Sequence, residues 1–300
     1  MAGHWHASQQ LALKAWRSFR FRQATACARC RKAPGILFCI AIRRIVNLER
    51  YALWQPKAGN ALDEYEDAFV LPRRARNGKP FVCAIADGAT ESLLSRQWAQ
   101  VLTRQFARQW LAARDWRGWW NETLRVWQNE KRAYMERRAR ADKPVQWYEE
   151  PGLEAGAFAA LLGLVLMPTP HALTWRAAAV GDCCLVQVRD DKLLAAFPMQ
   201  DAHAFNNRPY LLSSNPARNI ALAEQWRFVE GNFATGDRLY VMTDALAAWF
   251  LRASEAGAQP WAEVDAHRNA DAFAAWLAEL RAARAIRNDD VTLIRLQYRG

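Results

Sequence analysis

Short apolar runs recur along the chain and end at Pro, Gly, Asn or Asp, a pattern typical of β-strands. Before residue 90 these runs are RYALWQ, EDAFV and FVCAIADG. Between residues 157 and 197 they are AFAALLGLVLM, LTWRAAAV, CCLVQV and KLLAAF. Two more, LYVMTD and the closing DDVTLIRLQY, follow later in the chain. Hairpin-length connections between most of these runs predict antiparallel pairing.

Other segments carry their hydrophobic residues at intervals of three and four, which predicts amphipathic helices. The clearest follows Asp87, with Ser92 as its expected N-cap; its apolar positions are Leu94, Trp98, Val101, Leu102, Phe106 and Trp110. Further helices are predicted over Asn121 to Arg140, over ALAAWFLRAS, over Trp261 to His267 and over Ala270 to Ala285. Residues 198–233 show little periodicity and are expected to form loops. Helices in two blocks beside antiparallel strands predict an α+β fold.

Composition places the chain among globular proteins, because 52% of its 300 residues are hydrophobic and 24% are charged. The longest apolar run, Ala155 to Met167, is too short to cross a bilayer, so no membrane span is predicted. Three of the six cysteines, Cys83, Cys183 and Cys184, lie in strand-like runs and are interpreted as buried apolar residues. This cysteine usage favours a reducing compartment, the cytoplasm.

Residues 1–45 are basic and weakly patterned, and we interpret them as an N-terminal extension of a domain over residues 46–300. A helix around Gln9 to Arg22 and a strand over Gly35 to Ile42 are expected within it. The pair in CARC, Cys27 and Cys30, is half of a zinc site, but no second paired motif follows it. The zinc interpretation is therefore the less favoured one.

The net charge of +11 and the 15 tryptophans raise the question of nucleic-acid binding. Most tryptophans fall at helical core spacing, and the basic stretch NEKRAYMERRARADK is typical of a solvated helix face. Core packing is the favoured interpretation, and nucleic acid is not an expected partner.

Acidic residues stand at the ends of five predicted strands. Asp87, Asp182 and Asp244 follow strands, whereas Glu66 and Asp289 precede them. One such acid is usually a turn residue. In an antiparallel sheet, however, the end of one strand and the start of its neighbour share an edge, so all five can converge. Clustered carboxylates raise one another's pKa unless cations neutralise them, and an all-oxygen set favours Mg²⁺ or Mn²⁺ over zinc.

The ordered segments EDAFV, ADGATES, VGDCCLVQV, GDRLYVMTDALAAWF and NDDVTLI resemble the successive motifs of the metal-dependent serine/threonine phosphatases of the protein phosphatase 2C type, especially divergent bacterial members. The resemblance covers Leu48 to Tyr298. It implies a four-layer α-β-β-α sandwich with two central antiparallel sheets. It also implies hydrolysis of phosphoserine or phosphothreonine in proteins, within a bacterial signalling circuit that includes a cognate kinase.

The resemblance implies Mn²⁺ or Mg²⁺ as cofactor, with two ions activating a water molecule and a third ion bound more weakly. Asp87 would bridge the two ions, with the carbonyl of Gly88 on the second. Asp244 and Asp289 would hold the first, Glu66 would reach the second through water, and Asp182 matches the acid associated with the third. The resemblance also gives Asp87, Asp244 and Asp289 a catalytic role, which they would perform through the metal-activated water. Asp67 and Asp290 are expected to be supporting residues.

The chain departs from the fuller family pattern at two positions. The arginine that grips the phosphate before the Glu-Asp pair is absent from NALDEYED, and the histidine after Asp-Gly is absent from DGATES. Arg96 or Lys57 could supply a replacement cation, and Arg208 is a candidate substrate contact in the loop region. The two departures motivate an alternative function, a catalytically weak, pseudophosphatase-like module that binds phosphorylated or regulatory partners.

Overall fold

Two antiparallel sheets form the centre of the computed structural model, which describes residues 47–75, 78–111, 115–169, 172–205 and 208–300. In spatial order the first sheet contains β1 (Leu48–Gln55), β11 (Val291–Tyr298), β10 (Arg238–Met242), β6 (Cys184–Arg189) and β7 (Lys192–Phe197). The second contains β2 (Ala68–Val70), β3 (Phe81–Gly88), β4 (Phe158–Pro168), β5 (Leu173–Val180) and β9 (Arg227–Phe233), with β8 (Leu212–Ser213) paired to β4. The extension at residues 1–45, with its predicted helix, strand and CARC pair, lies outside the described residues.

Helices lie on the outer faces of both sheets. The α-helices are α1 (Ser95–Gln109), α2 (Trp116–Arg140), α3 (Glu150–Ala155), α4 (Leu222–Gln225), α5 (Asp244–Glu255), α6 (Pro260–Ala266) and α7 (Ala270–Ala282). Short 3-10 turns occur at Leu62–Glu64, Ala202–Ala204 and Pro216–Arg218. The helix α2 begins at Trp116, five residues before the predicted start, because the side chain of Asp115 caps it by accepting from the backbone N–H of Gly118 at 2.8 Å.

Three hydrophobic clusters separate four layers, as the alternation of side chains along the strands shows. In β3, Val82, Ala84 and Ala86 pack toward α1 and α2. Cys83 and Ile85 point to the opposite face and pack between the sheets. In β10, Tyr240 and Met242 pack against α5, α6 and α7. Both faces of these strands are therefore covered, which confirms the α+β fold and the α-β-β-α sandwich.

The tryptophans in the outer helical layer pack on one another, as the sequence predicts. Trp110 and Trp119 approach at a centroid distance of 5.3 Å, and Trp119 and Trp226 at 5.7 Å. Trp98 is fully buried and its indole N–H donates to the carbonyl of Leu212 at 2.8 Å. These side chains hold α1 and α2 against the second sheet. The interpretation of most tryptophans as core residues is confirmed, whereas Trp54 and Trp147 are exposed.

Two local predictions are wrong. Ser92 is not the N-cap of α1, because its hydroxyl donates to the carbonyl of Ala89 at 2.9 Å and accepts from the N–H of Phe158 at 3.0 Å. The helix begins three residues later, at Ser95. The loop region contains a strand, β9, which pairs along β5 from Leu173–Phe233 to Ala179–Arg227. Exposed and buried residues do not alternate regularly along β9, so the sequence gives no clear local strand pattern. Pairing with β5 stabilises this strand.

The three cysteines predicted to be buried, Cys83, Cys183 and Cys184, are fully buried free thiols. Among the helices of the described residues, none combines the length and apolar character that a bilayer crossing requires.

Candidate metal centre

The acids predicted from strand ends lie at the points where strands of both sheets end or begin. Asp87 is the penultimate residue of β3 and lies opposite Ala160. It is on the same face of the strand as Cys83 and Ile85, which pack between the two sheets. Asp182 follows β5 by two residues, and Asp289 precedes β11 by two. Asp244 follows β10 by two residues and is the first residue of α5.

The pKa of Asp87 indicates which other acids influence it. Burial raises the pKa of Asp87 well above its usual range, and the charges of Asp67, Asp182, Asp289 and Asp290 raise it further. Coulombic effects weaken with distance, so these four carboxylates lie within electrostatic range of Asp87. We call Asp67, Asp87, Asp182, Asp289 and Asp290 the acid cluster. It contains three of the predicted metal ligands.

Asp182 is 4% exposed and belongs to the same cluster. Burial raises the pKa of Asp182 from 3.8 to about 6, and the charge of Asp289 acts in the same direction. The guanidinium of Arg287 opposes this shift of the Asp182 pKa. A cation placed near Asp182 would lower its pKa, in the same direction as Arg287.

Asp244 is connected to the cluster by Arg287, a residue that the sequence analysis missed. The Arg287 guanidinium donates to Oδ2 of Asp244, and its Nε lies 3.5 Å from Oδ2 of Asp289. The other carboxylate oxygen of Asp244, Oδ1, is buried and has no hydrogen-bond partner. The available signal was the motif IRNDD, which places an arginine two residues before the predicted ligand Asp289.

Glu66 is held beside Gly88 by its backbone. The N–H of Glu66 donates to Oδ2 of Asp290 at 2.6 Å. A Cβ on Gly88 would stand 2.7 Å from the Glu66 carbonyl oxygen, so glycine is needed for this approach of the two chains. The Glu66 carboxylate accepts from the hydroxyl of Ser95 at 2.5 Å. Asp290 thus makes the supporting contacts that were expected of it.

Asp67 is a buried supporting residue. Its Oδ2 accepts from the hydroxyl of Thr292 at 2.6 Å, and the Thr292 hydroxyl also contacts the hydroxyl of Tyr65. Burial raises the pKa of Asp67 well above its usual range. Thr292 is the threonine of the NDDVT motif, so its position was visible in the sequence although its role was not recognised.

The donor set fits a hard divalent cation in its chemistry. Every side-chain donor is a carboxylate oxygen, the Asp244 Oδ1 atom is buried without a partner, and the charges of neighbouring acids raise the pKa of Asp87 and Asp182. Within the described ranges, however, no three His, Cys, Asp or Glu side chains already surround a common point at ligand spacing.

The two predicted substrate cations lie in different places. Arg96 lies at the start of α1, and its guanidinium donates to the backbone carbonyls of Asp63 at 2.7 Å and Leu62 at 3.5 Å. Arg208 is exposed in the segment before β8. Two residues later, the carbonyl oxygen of Tyr210 stands 3.3 Å from the position of a Cβ on Gly181, next to Asp182. The segment of Arg208 therefore passes the acid cluster.

An open cleft of about 660 Å³ lies beside Glu66. One wall comes from the segment before β2, the turn after β3 and the start of α1, and the other from α2 and the segment before α3. Its lining includes Lys57, Glu66, Thr90, Arg96, Tyr134 and Tyr148. The cleft is large enough to admit a short segment of a protein substrate.

Two antiparallel sheets between helical layers, with acids gathered where their strands end, define the class of fold and site to which this molecule belongs. The sequence profile of the protein phosphatase 2C family matches residues 64–284. The chain belongs to the protein phosphatase 2C family. The expected family is thereby confirmed.

Similar folds occur among solved structures. The Mycobacterium tuberculosis serine/threonine phosphatase PstP/Ppp shares 17% identity at a TM-score of 0.50, over 85% of this chain and 100% of that chain. PppA, described as a key regulatory component of the T6SS in Pseudomonas aeruginosa, shares 14% identity at a TM-score of 0.47, over 84% and 99%. The PstP catalytic domain in complex with two manganese ions shares 16% identity at a TM-score of 0.48, over 83% and 97%. These likenesses concern the fold. No curated protein matches the chain significantly.

Proposed function

We propose that the protein is a metal-dependent phosphoprotein phosphatase that hydrolyses phosphoserine or phosphothreonine. Membership of the protein phosphatase 2C family supports this assignment. The observation that carries it is the acid cluster, in which Asp87, Asp182 and Asp289 are close enough for their charges to raise the pKa of Asp87. Such a concentration of negative charge favours divalent cations.

The residues proposed to hold the metal are Glu66, Asp87, Gly88, Asp182, Asp244 and Asp289. Two Mn²⁺ or Mg²⁺ ions bound there would supply Lewis-acid activation of water and charge neutralisation on the phosphate, with a third, weaker ion at Asp182. The chain's own residues position these donors. Asp290 fixes the backbone of Glu66, and Gly88 lets the Glu66 carbonyl approach. Arg208 stays a candidate substrate contact because its segment passes Gly181.

We infer a phosphorylated protein as substrate, a cognate serine/threonine kinase as the opposing enzyme and a bacterial signalling circuit as the context. The buried free thiols favour a reducing compartment, the cytoplasm. The division of the chain into a basic extension over residues 1–45 and a phosphatase domain over residues 46–300 stays a prediction.

Hydrolysis of p-nitrophenyl phosphate with and without Mn²⁺ tests the function. We expect Mn²⁺-dependent turnover by the wild type, and a loss of at least about a hundredfold in Asp87→Asn and Asp244→Asn, because each amide removes a charged donor. Asp271→Asn, an exposed position in the first turn of α7, is the matched control and should keep full activity. Metal-independent turnover, or full activity in Asp87→Asn, would contradict the assignment.

A second function, a module that binds phosphorylated or regulatory partners without hydrolysing them, is favoured by one observation. Arg287 pairs with Asp244 and Asp289, so a protein cation already partly compensates two proposed ligands. Calorimetric titration with Mn²⁺, followed by assays on phosphoserine peptides, separates the two functions. Tight peptide binding without phosphate release would favour the binding module, whereas release of phosphate would exclude it.

A further inference from the structure

The turn at Lys57 and Ala58 is docked on the segment that precedes β11. Oδ1 of Asp290 accepts from the N–H of Lys57 at 2.9 Å. The side chain of Asn288 accepts from the N–H of Ala58 at 2.7 Å and donates to its carbonyl at 3.2 Å. Because the other oxygen of Asp290 holds the N–H of Glu66, one carboxylate fixes Lys57 and Glu66 relative to each other. Lys57 is therefore built into the same framework as the proposed metal ligands.

The amino group of Lys57 lies at the wall of the cleft, between Glu66 and the turn after Asp87 and Gly88. It donates to the hydroxyl of Thr90 at 3.0 Å and lies 3.8 Å from Oε2 of Glu66. The second distance is too long for a hydrogen bond. An ammonium group has three donors, so this contact pattern leaves donors that can turn toward a ligand in the cleft. The side chain is 19% exposed, which limits its freedom while keeping it accessible.

Two neighbouring cations lie closer to charged or backbone oxygens than the 3.8 Å that separates the Lys57 amino group from Glu66. Arg96 donates to the carbonyls of Asp63 and Leu62 and thereby holds the 3-10 turn against α1. Arg287 is paired with Asp244 and Asp289. Lys57 has a neutral hydroxyl as its hydrogen-bond partner, and its acidic neighbour Glu66 is a proposed metal ligand. When the charge of Glu66 is neutralised by a cation, the ammonium group is left to attract another anion.

We propose that Lys57 binds the phosphate group of the substrate. The inference rests on the proposed function and assigns a phosphate-binding residue to the proposed site. The ligand is a phosphate monoester, which an ammonium group recognises as a compact positive charge through charge-assisted hydrogen bonds. The Lys57 amino group approaches the phosphate from the cleft, and Thr90 and Asp290 orient the side chain and the backbone of Lys57.

Inorganic phosphate and p-nitrophenyl phosphate serve as probes, both in the presence of Mn²⁺. Lys57→Gln, which keeps the length and removes the charge, should weaken phosphate binding by about tenfold or more and raise KM more than it lowers kcat. Lys57→Arg should restore most of the phosphate affinity. Lys131→Gln is the matched control, because its amino group also makes one hydrogen bond of 3.0 Å, to the carbonyl of Leu153, on another surface. Calorimetry should show no loss of Mn²⁺ affinity in any of the three variants.

Several results would overturn the role of Lys57. An unchanged phosphate affinity in Lys57→Gln would exclude it as a ligand, as would a phosphate affinity that falls in Arg96→Gln instead. A loss of Mn²⁺ affinity in Lys57→Gln would show that it acts through Glu66. If the wild type binds phosphate in a Lys57-dependent way but does not hydrolyse the ester, the proposed function fails and the binding role stands. If an active wild type is unaffected by Lys57→Gln, only the binding role fails.

Discussion

At the scale of single residues, Arg287 determines the charge balance of the metal-free site. Its guanidinium contacts Asp244 and lies near Asp289, whereas Asp244 Oδ1 stays buried without a partner. A guanidinium and a divalent cation compensate the same carboxylates, so each should reduce the benefit of the other. The arginine is 46% exposed at its side chain, so it can move away when a metal ion binds.

We therefore predict that Arg287→Gln lowers the melting temperature of the metal-free protein by about 2–4 °C, corresponding to about 1 kcal/mol. Because the competing guanidinium is gone, Mn²⁺ should bind the variant more tightly and raise its melting temperature by more than in the wild type. Thermal unfolding in EDTA and in Mn²⁺ measures both effects. Equal stabilisation by Mn²⁺ in the two proteins would contradict the competition.

At the scale of elements, β11 connects the acid cluster to both sheets. The hydroxyl of Thr292, a residue of β11, donates to Asp67 and contacts Tyr65. The backbone N–H of Thr292 donates to the hydroxyl of Thr243 at 2.9 Å. Thr243 is the residue directly before Asp244. The hydrogen bonds of one threonine thus align the segment before β2 with the start of α5.

Replacing Thr292 by valine keeps the shape and removes the hydroxyl, leaving the buried Asp67 carboxyl without this donor. We expect a loss of about 1–3 kcal/mol in the free energy of unfolding. Urea denaturation measures it as a lower midpoint at an unchanged slope. Thr174→Val on β5, where the hydroxyl donates to the carbonyl of Met167 at 3.3 Å in a partly buried position, is the control and should cost clearly less. Equal losses in the two variants would contradict the special role of Thr292.

At the scale of the whole molecule, the sequence predicted the layers better than the connections between them. Strands such as β3 are buried on both faces and give continuous apolar runs, so FVCAIADG was sufficient to locate β3. The strand-end rule likewise pointed to Asp87, Asp182 and Asp289, three of the five acids of the cluster. The contacts of Lys57 with Asp290 and of Arg287 with Asp244 join residues that are far apart in the sequence. A local sequence pattern therefore cannot predict them. Ser92 looked like an N-cap locally, but its hydroxyl contacts Phe158 instead.

The acid cluster also predicts how stability depends on pH. Burial raises the pKa of Asp182 from 3.8 to about 6, so between these values the folded protein binds more protons than the unfolded chain. Stability of the metal-free protein should therefore fall as the pH rises through this window, by up to about 3 kcal/mol from Asp182. Asp67 and Asp87, whose pKa values are also raised, extend the effect in the same direction.

Thermal unfolding from pH 4 to pH 8 in EDTA and in Mn²⁺ measures this dependence. We expect the decline with pH in EDTA to shrink or reverse in Mn²⁺, because a bound cation compensates the ionised carboxylates. Parallel pH profiles in the two conditions would show that the cluster does not bind the metal.

Calorimetric titration of the wild type and Asp87→Asn with Mn²⁺ near neutral pH determines whether the acid cluster is a metal centre. We expect at least two bound ions in the wild type and a strong loss of binding in Asp87→Asn, since Asp87 is proposed to serve both ions. Absence of Mn²⁺ binding in the wild type, or the same stoichiometry and affinity in Asp87→Asn, would contradict this expectation.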